Sequence, residues 1–166
     1  KLVVEMAKTY CIVYLRTARP ATEVIYDGRE VFKIGGSKIL RKSKKDKVTV
    51  VAAGLTVLEA LRAHGELLKK GVDIRVVDAY SLKPIDGHTL EKCAAETGNL
   101  IITVEDHFVY GGLGDAVLEV FAIDSKVRVF KLAVTKMPGS ATPEEQYKFE
   151  GIDSSAIVSK VLEILG

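Results

Sequence analysis

The chain has 166 residues, a length typical of one domain with a short piece of a second. Lysine and arginine number 24 against 22 aspartate and glutamate residues, and a net charge of +2 argues against a nucleic-acid partner. With 48% hydrophobic residues the chain can bury a core, and no apolar run approaches the roughly 20 residues that span a bilayer. Two cysteines without a CxxC spacing fit a reducing compartment. We therefore expect a soluble, cytoplasmic α/β protein with no membrane partner.

The first thirty residues have a different pattern from the rest of the chain. Residues 2–7 suit the last turns of a helix, and the apolar run at 11–15 predicts a short buried strand. Pro20 interrupts regular pairing, and residues 21–31 are polar and mixed, as in a linker. We interpret residues 1–30 as the end of a preceding domain and residues 31–166 as a second domain.

From Phe32 onward, strands alternate with helices. The apolar runs predict strands at 32–40, 48–53, 74–77, 100–104 and 127–134. Helix starts are predicted at Thr56 with Glu59 as a capping box, and at Asp86, Gly111–Gly114, Thr142 and Asp153. This alternation favours a mostly parallel sheet covered by helices on both faces.

Ligands of parallel sheets usually lie outside the carboxyl ends of the strands. Three segments are predicted at that edge, residues 54–56, 78–81 and 105–114. The GGLG sequence at 111–114 could present backbone amides to an anion at a helix start, or could simply form a tight turn. It lacks the spacing of a dinucleotide fingerprint, and the chain has no phosphate-binding GxxxxGK[ST] loop.

Other polar residues allow two interpretations each. Glu105, Asp106 and His107 could form an acid–base cluster, or could satisfy local hydrogen bonds. The basic run at 41–47 could contact phosphates, although a solvated hairpin tip is the simpler interpretation. The three histidines lack the spacing of a zinc site.

Arg16 and Arg19 follow the apolar run at 11–15 and lie next to a proline. A guanidinium held there is suited to bidentate phosphate binding. It is equally suited to an ion pair with a neighbouring domain. The spacing of the two arginines does not decide between these roles.

Several segments of the chain resemble, in the same order, segments of the C-terminal third of transketolases. Animal transketolases resemble the chain most closely. The segments are YLRTARP (14–20), FKIGGSKIL (32–40), VTVVAAGLTVLEAL (48–61), IRVVDAYSLKPID (74–86), ITVEDHFVYGGLGDAV (102–117), VFKLAVTKMPGSATPEE (129–145) and FEGIDSSAIV (149–158). The resemblance implies that residues 1–30 end a pyrimidine-binding domain. It implies that residues 31–166 form the C-terminal domain, a three-layer α/β/α unit whose five-stranded, mostly parallel sheet has one antiparallel strand.

The resemblance also implies a function. Transketolases, enzymes of the pentose phosphate pathway, transfer a two-carbon ketol group from a ketose phosphate to an aldose phosphate. They use thiamine diphosphate with Mg²⁺ (or Ca²⁺), held between the subunits of a homodimer. The catalytic, cofactor-binding and metal-binding residues of the family lie in parts that this chain does not contain. We therefore expect the chain alone to be inactive and to bind no cofactor, and to work with the missing domains on the same or a companion chain.

Only one functional residue carries over from the resemblance. Arg19, the second arginine of RTARP, matches the family position that binds the sugar phosphate. Gly139 departs from the family, which usually has an arginine in the corresponding turn.

Two alternative functions stay open. The chain could be the C-terminal domain of another thiamine diphosphate enzyme, such as a 2-oxoacid dehydrogenase beta subunit or deoxyxylulose-phosphate synthase. It could also be a non-catalytic dimerisation or ligand-sensing module.

Overall fold

A computed structural model describes residues 1–19, 21–123 and 126–166. In the described part of the chain no helix has the length and apolar character needed to cross a membrane. The elements in chain order are α1 (Leu2–Lys8), β1 (Lys38–Arg41), β2 (Thr49–Ala52), α2 (Thr56–Lys69), β3 (Arg75–Asp78), α3 (Gly87–Glu96), β4 (Leu100–Phe108), α4 (Leu113–Val120), β5 (Arg128–Val134), α5 (Pro143–Glu150) and α6 (Ser154–Leu165).

The five strands form one sheet in the order β1-β3-β2-β4-β5. Strand β1 runs antiparallel to β3, and the other neighbours are parallel. Helices α2 and α6 cover one face, and α3 and α4 cover the other. The predicted three-layer α/β/α fold, with a mostly parallel sheet and one antiparallel strand, is confirmed.

Two hydrophobic clusters fill the space on either side of the sheet. On β2, Val50 packs with the cluster under α2 and α6, whereas its neighbour Val51 packs with the cluster under α3 and α4. Val76 and Val77 of β3 alternate in the same way. Because adjacent side chains of a strand point to opposite faces, a strand covered on both sides must be apolar throughout. This explains the uninterrupted apolar runs in the sequence.

The predicted strand at 11–15 is wrong. In the described residues this segment has no strand partner, and it is irregular and largely exposed. Tyr10 and Ile12 are fully exposed, and Tyr14 is 87% exposed. A strand needs a neighbour to accept its backbone hydrogen bonds, and an apolar run alone does not supply one.

The first strand of the sheet is shorter than the predicted 32–40. Residues 32–37 are irregular: side chains accept the amide protons of Lys33, Gly35 and Ser37, and the Lys33 carbonyl accepts that of Gly36. The Gly35 amide donates to Ser81 Oγ at 2.9 Å, and the Ser37 amide donates to Asp86 Oδ2 at 3.1 Å. Gly36 lies so close to the ring of Tyr80 that a Cβ atom there would be 2.3 Å from the phenol oxygen.

Helix α2 begins where predicted, but the expected capping box is absent. Leu55 is the N-cap residue, and no side chain caps it. The Thr56 hydroxyl donates instead to the Val104 carbonyl at 2.7 Å, and the Glu59 carboxylate accepts from the Ser154 amide at 2.9 Å. These contacts tie α2 to β4 and to the start of α6. The predicted starts of α3, α5 and α6 are confirmed by side-chain caps from Asp86, Thr142 and Asp153.

The basic run at 41–47 lies at the amino edge of the parallel strands, away from the carboxyl edge. There Arg75, 2% exposed, pairs with Asp46 at 3.2 Å and with Glu96 at 2.6 Å. Lys42 pairs with the same Glu96 at 2.9 Å. Asp46 of this run is therefore in a buried ion pair with Arg75, and Lys42 is linked to Arg75 through the exposed Glu96.

Candidate functional site

The three segments predicted at the carboxyl edge of the sheet come together there. The strands end side by side, since Ala52 pairs with Asp78 on one side and with Val104 on the other. The Ala79 amide of the second segment donates to the carbonyl of Ala52, the last residue of β2, at 2.9 Å. The Thr56 hydroxyl of the first segment donates to the carbonyl of Val104, which directly precedes the third segment. This edge is the candidate functional site.

The start of α4 is occupied by a carboxylate of the chain itself. Glu105, 3% exposed, accepts the Leu113 amide at 2.6 Å and the Gly114 amide at 2.8 Å with its two oxygens. A Cβ atom at Gly112 would be 1.9 Å from Glu105 Oε2, so only glycine permits this approach. The amides that could have bound an external anion are therefore already satisfied, and the GGLG sequence forms a tight turn closed by Glu105.

The side chains of Glu105, Asp106 and His107 do not act as one acid–base cluster. Glu105 binds the start of α4, whereas Asp106 is paired with Arg16. His107 is half-exposed, and its Nδ1 lies 2.8 Å from the Phe108 carbonyl and 3.9 Å from Glu105 Oε2. The geometry gives structural contacts to all three side chains.

The two arginines of the RTARP segment are in different environments. Arg16 forms a two-pronged pair with Asp106, with its Nη1 3.1 Å from Oδ1 and its Nη2 3.2 Å from Oδ2. Its Nη2 also donates to the Asp106 carbonyl at 3.1 Å. Arg19 is exposed and makes no hydrogen bond or ion pair with the part of the chain that the structure describes. Arg16 therefore holds the N-terminal segment against β4, whereas the Arg19 guanidinium has no partner among the described residues.

A second contact between the N-terminal segment and the sheet edge joins Tyr26 to Asp78, and the sequence analysis did not predict it. The Tyr26 hydroxyl donates to Asp78 Oδ2, and the Tyr26 ring packs edge-on against Phe32, which packs in turn against Tyr80. Asp78 is 6% exposed, and its Oδ1 has no hydrogen-bond partner among the described residues. Burial raises the pKa of Asp78 to about 6, although the hydrogen bond from Tyr26 opposes the rise. Burial and the neighbouring Asp78 also raise the pKa of Tyr26.

We expect Glu105→Gln to destabilise the domain by about 2–3 kcal/mol, because the amide keeps one acceptor oxygen and leaves a buried backbone N–H unpaired. Urea denaturation followed by circular dichroism measures this change. Glu119→Gln, which removes the same charge from an exposed position on α4, is the matched control and should change stability by less than about 0.5 kcal/mol. Equal stability of the two variants would contradict the structural role of Glu105.

We expect Asp78→Asn to make folding stability less dependent on pH. Because the pKa of Asp78 is higher in the folded state than in the unfolded chain, ionisation destabilises the fold, and stability falls as pH rises from about 4 to about 6. The variant should match the wild type near pH 4. It should be more stable at pH 7.5 by about 1–3 kcal/mol, the upper value corresponding to the full pKa shift. Denaturation midpoints at both pH values measure the difference, and the same offset at both would exclude titration of Asp78 as its cause.

Comparison with known proteins identifies the family. The family model described as transketolase, C-terminal domain, matches residues 37–157. Transketolase of Rattus norvegicus is 43% identical over 155 residues, which are 93% of this chain and 25% of that protein. Transketolase-like protein 1 of Bos taurus is 43% identical over 152 residues, 92% of this chain and 26% of that protein. The chain thus spans about a quarter of the length of these relatives.

Solved structures agree with this assignment. A structure described as a split gene transketolase, inactive beta4 tetramer, has a TM-score of 0.91 and 34% identity, and the match covers 98% of this chain and 52% of that chain. A transketolase of Campylobacter jejuni, with a TM-score of 0.59 and 17% identity over 89% of this chain and 20% of that one, shares the fold alone. The chain belongs to the transketolase C-terminal domain family.

Proposed function

We propose that this chain is the C-terminal part of a cytoplasmic transketolase. The complete enzyme transfers a two-carbon ketol group from a ketose phosphate to an aldose phosphate in the pentose phosphate pathway. The observation that carries the proposal is the likeness to the split gene transketolase, which extends over 98% of this chain, N-terminal segment included. The identity of 43% to a transketolase over 93% of the chain favours this enzyme over the other thiamine diphosphate enzymes.

Two features of the described residues support a location of thiamine diphosphate and its metal ion elsewhere in the complete enzyme. In residues 1–19, 21–123 and 126–166, no three His, Cys, Asp or Glu side chains form a group that could hold a metal ion. The backbone amides at the start of α4, a common place for a diphosphate, are bound to Glu105. We therefore assign thiamine diphosphate and Mg²⁺ or Ca²⁺ to the missing domains and derive no catalytic step from this chain.

The N-terminal segment supports an assembly role. Tyr10, Ile12 and Tyr14 are 87–106% exposed, whereas Val13 and Leu15 are partly buried. A backbone with unpaired hydrogen-bonding groups and apolar side chains is suited to adding a strand to another sheet. The segment is fixed to the domain at its far end by Arg16 and Asp106. We propose that residues 1–30 complete a pyrimidine-binding domain on the same or a companion chain, within a homodimeric enzyme.

Arg19 lies three residues beyond this fixed point and has no described partner of its own. A guanidinium is always charged at neutral pH and binds phosphate oxygens through two parallel N–H donors. The ion pair of Arg16 fixes the chain close to Arg19. We propose that Arg19 binds the terminal phosphate of the sugar substrates.

The proposal that the cofactor binds to the missing domains and not to this chain is tested by titrating the purified chain with thiamine diphosphate and Mg²⁺ in a calorimeter. We expect no micromolar binding and no ketol transfer by the chain alone. Adding a companion polypeptide with the two preceding domains should restore both. Micromolar cofactor binding by the chain alone, or failure of the combined chains to transfer a ketol group, would contradict the proposal.

We expect Ile12→Asp to weaken association with the companion polypeptide more than tenfold, since it places a charge in the middle of the proposed strand. Light scattering at several concentrations and calorimetric binding measure the effect. The control is Ile123→Asp, because the side chain of Ile123 is equally exposed but lies after α4. If both variants associate as tightly as the wild type, the 11–15 segment is not the contact.

In the assembled enzyme, Arg19→Ala should raise KM for ketose and aldose phosphates roughly ten- to hundredfold, the cost of losing one charge-assisted contact of about 1.5–3 kcal/mol. Hydroxypyruvate, which has no phosphate, should be much less affected. Arg19→Lys should recover only part of the loss, because an ammonium cannot form the two-pronged contact. Arg29→Ala, in the same exposed segment, serves as the control. Equal impairment of phosphorylated and unphosphorylated substrates would assign Arg19 a structural role instead.

A further inference from the structure

The N-terminal segment has one polar anchor on the domain close to Arg19. Arg16 donates two hydrogen bonds to the Asp106 carboxylate and a third, at 3.1 Å, to the Asp106 carbonyl. No other side chain of residues 10–19 or 21–25, the parts of this stretch that the structure describes, forms a hydrogen bond or an ion pair. The position of Arg19 relative to the sheet edge therefore depends on the pair between Arg16 and Asp106.

Asp106 lies in a bulge of β4 that is itself fixed. From Val104 to Phe108, strand β4 advances four residues while its partner β5 advances only two. A bulge of this kind changes the direction of side chains at the end of a strand, and bulges are frequent next to functional sites. The residue before Asp106 is Glu105, which is bound to two amides at the start of α4. Arg16 is therefore paired with a carboxylate on a well-supported part of the sheet rather than on a free loop.

The chain between Arg16 and Arg19 is short. Three residues span at most about 11 Å when the chain is fully extended. The anchor at Arg16 therefore limits the volume that the Arg19 guanidinium can explore, and a confined guanidinium loses less conformational entropy when it binds a ligand. Because the pair is partly exposed, it adds little to folding stability. Its main effect is on the position of the segment.

We propose that Asp106 is a positioning residue for the phosphate site, and that it holds Arg19 in place through Arg16. The inference rests on the proposed role of Arg19 as the ligand of the substrate phosphate. If Asp106 acted by charge alone, its carboxylate would repel a nearby phosphate, and removing it would strengthen phosphate binding. If Asp106 acts by position, removing it weakens phosphate binding. The direction of the change in KM therefore separates the two roles.

Steady-state kinetics of the assembled enzyme test the proposal. Asp106→Ala should raise KM for ketose and aldose phosphates roughly three- to tenfold, and KM for hydroxypyruvate should stay near the wild-type value. Asp106→Asn, which keeps one acceptor oxygen for Arg16, should recover part of the loss. Arg16→Ala should have the same effect as Asp106→Ala. The double variant should be no worse than either single variant, because both residues act through one contact.

Glu144→Ala is the matched control. Burial and the charges of Asp106 and Glu144 raise the pKa of Tyr147 to about 12, so Glu144 is a second carboxylate in the same region. Glu144 is exposed and makes no hydrogen bond to Arg16. Its removal should not raise KM for sugar phosphates.

NMR of the 166-residue chain measures the anchoring itself, independently of activity. Asp106→Ala should lower the backbone heteronuclear NOE values of Thr17, Ala18 and Arg19, because the segment moves more freely on the fast timescale that this experiment reports. Glu144→Ala should leave these values unchanged. Equal NOE values in Asp106→Ala and the wild type would overturn the proposal.

The kinetic outcomes separate the inference from the proposed function. A loss in Arg19→Ala that is confined to phosphorylated substrates, together with an unchanged or lower KM in Asp106→Ala, would overturn the positioning role alone. Additive effects of Arg16→Ala and Asp106→Ala would overturn it as well. If Arg19→Ala impairs hydroxypyruvate as much as the sugar phosphates, the inference fails together with the proposed role of Arg19.

Discussion

The carboxyl edge of this domain depends on the contact between one buried carboxylate and the start of one helix. Glu105 accepts two backbone amides at the first turn of α4, where the partial positive charge of the helix favours an anion. The contact forces glycine at position 112, because any Cβ atom there would overlap the carboxylate. It thereby fixes the glycine turn against β4. A site that in many parallel α/β proteins receives a phosphate is here closed by the domain's own side chain.

The same edge also holds the N-terminal segment. Arg16 binds Asp106, the residue after Glu105, and Tyr26 binds Asp78 at the end of β3. These two contacts hold the N-terminal segment against the edge at two points. The apolar side chains that precede Arg16 remain exposed. The edge thus holds the N-terminal segment in place, which agrees with the proposal that residues 1–30 complete a neighbouring domain of the whole enzyme.

The parts of the fold that could be predicted from the sequence depend on local patterns. The strands around Val50, Val76 and Ile102 were predicted because a strand covered on both faces is apolar throughout. The cap of α5 was predicted because Thr142 and Glu145 are three residues apart and bond to each other.

The sequence predictions that were wrong or incomplete concern residues whose interaction partners are distant in sequence. Thr56 and Glu59 match a capping box, yet their partners are Val104 and Ser154, which lie 48 and 95 residues away. The sequence allowed the GGLG segment to be a tight turn or an anion site, and the structure has the tight turn; no sequence pattern shows that Glu105 accepts its amides. Nothing in the sequence around Tyr26 marks it as the partner of Asp78. The 11–15 strand was predicted from apolar character, whereas a strand also requires a neighbour. The role of Arg19 stays a prediction.

The central claim, that Glu105 closes the start of α4 to external anions, is tested most directly by NMR of the Leu113 and Gly114 amides. In the isolated chain both amide protons should exchange slowly with solvent. Their resonances should not move when inorganic phosphate or a sugar phosphate is added at millimolar concentration. Rapid exchange, or a saturable shift of these two amides with phosphate, would show that the helix start is an open anion site and would contradict the account.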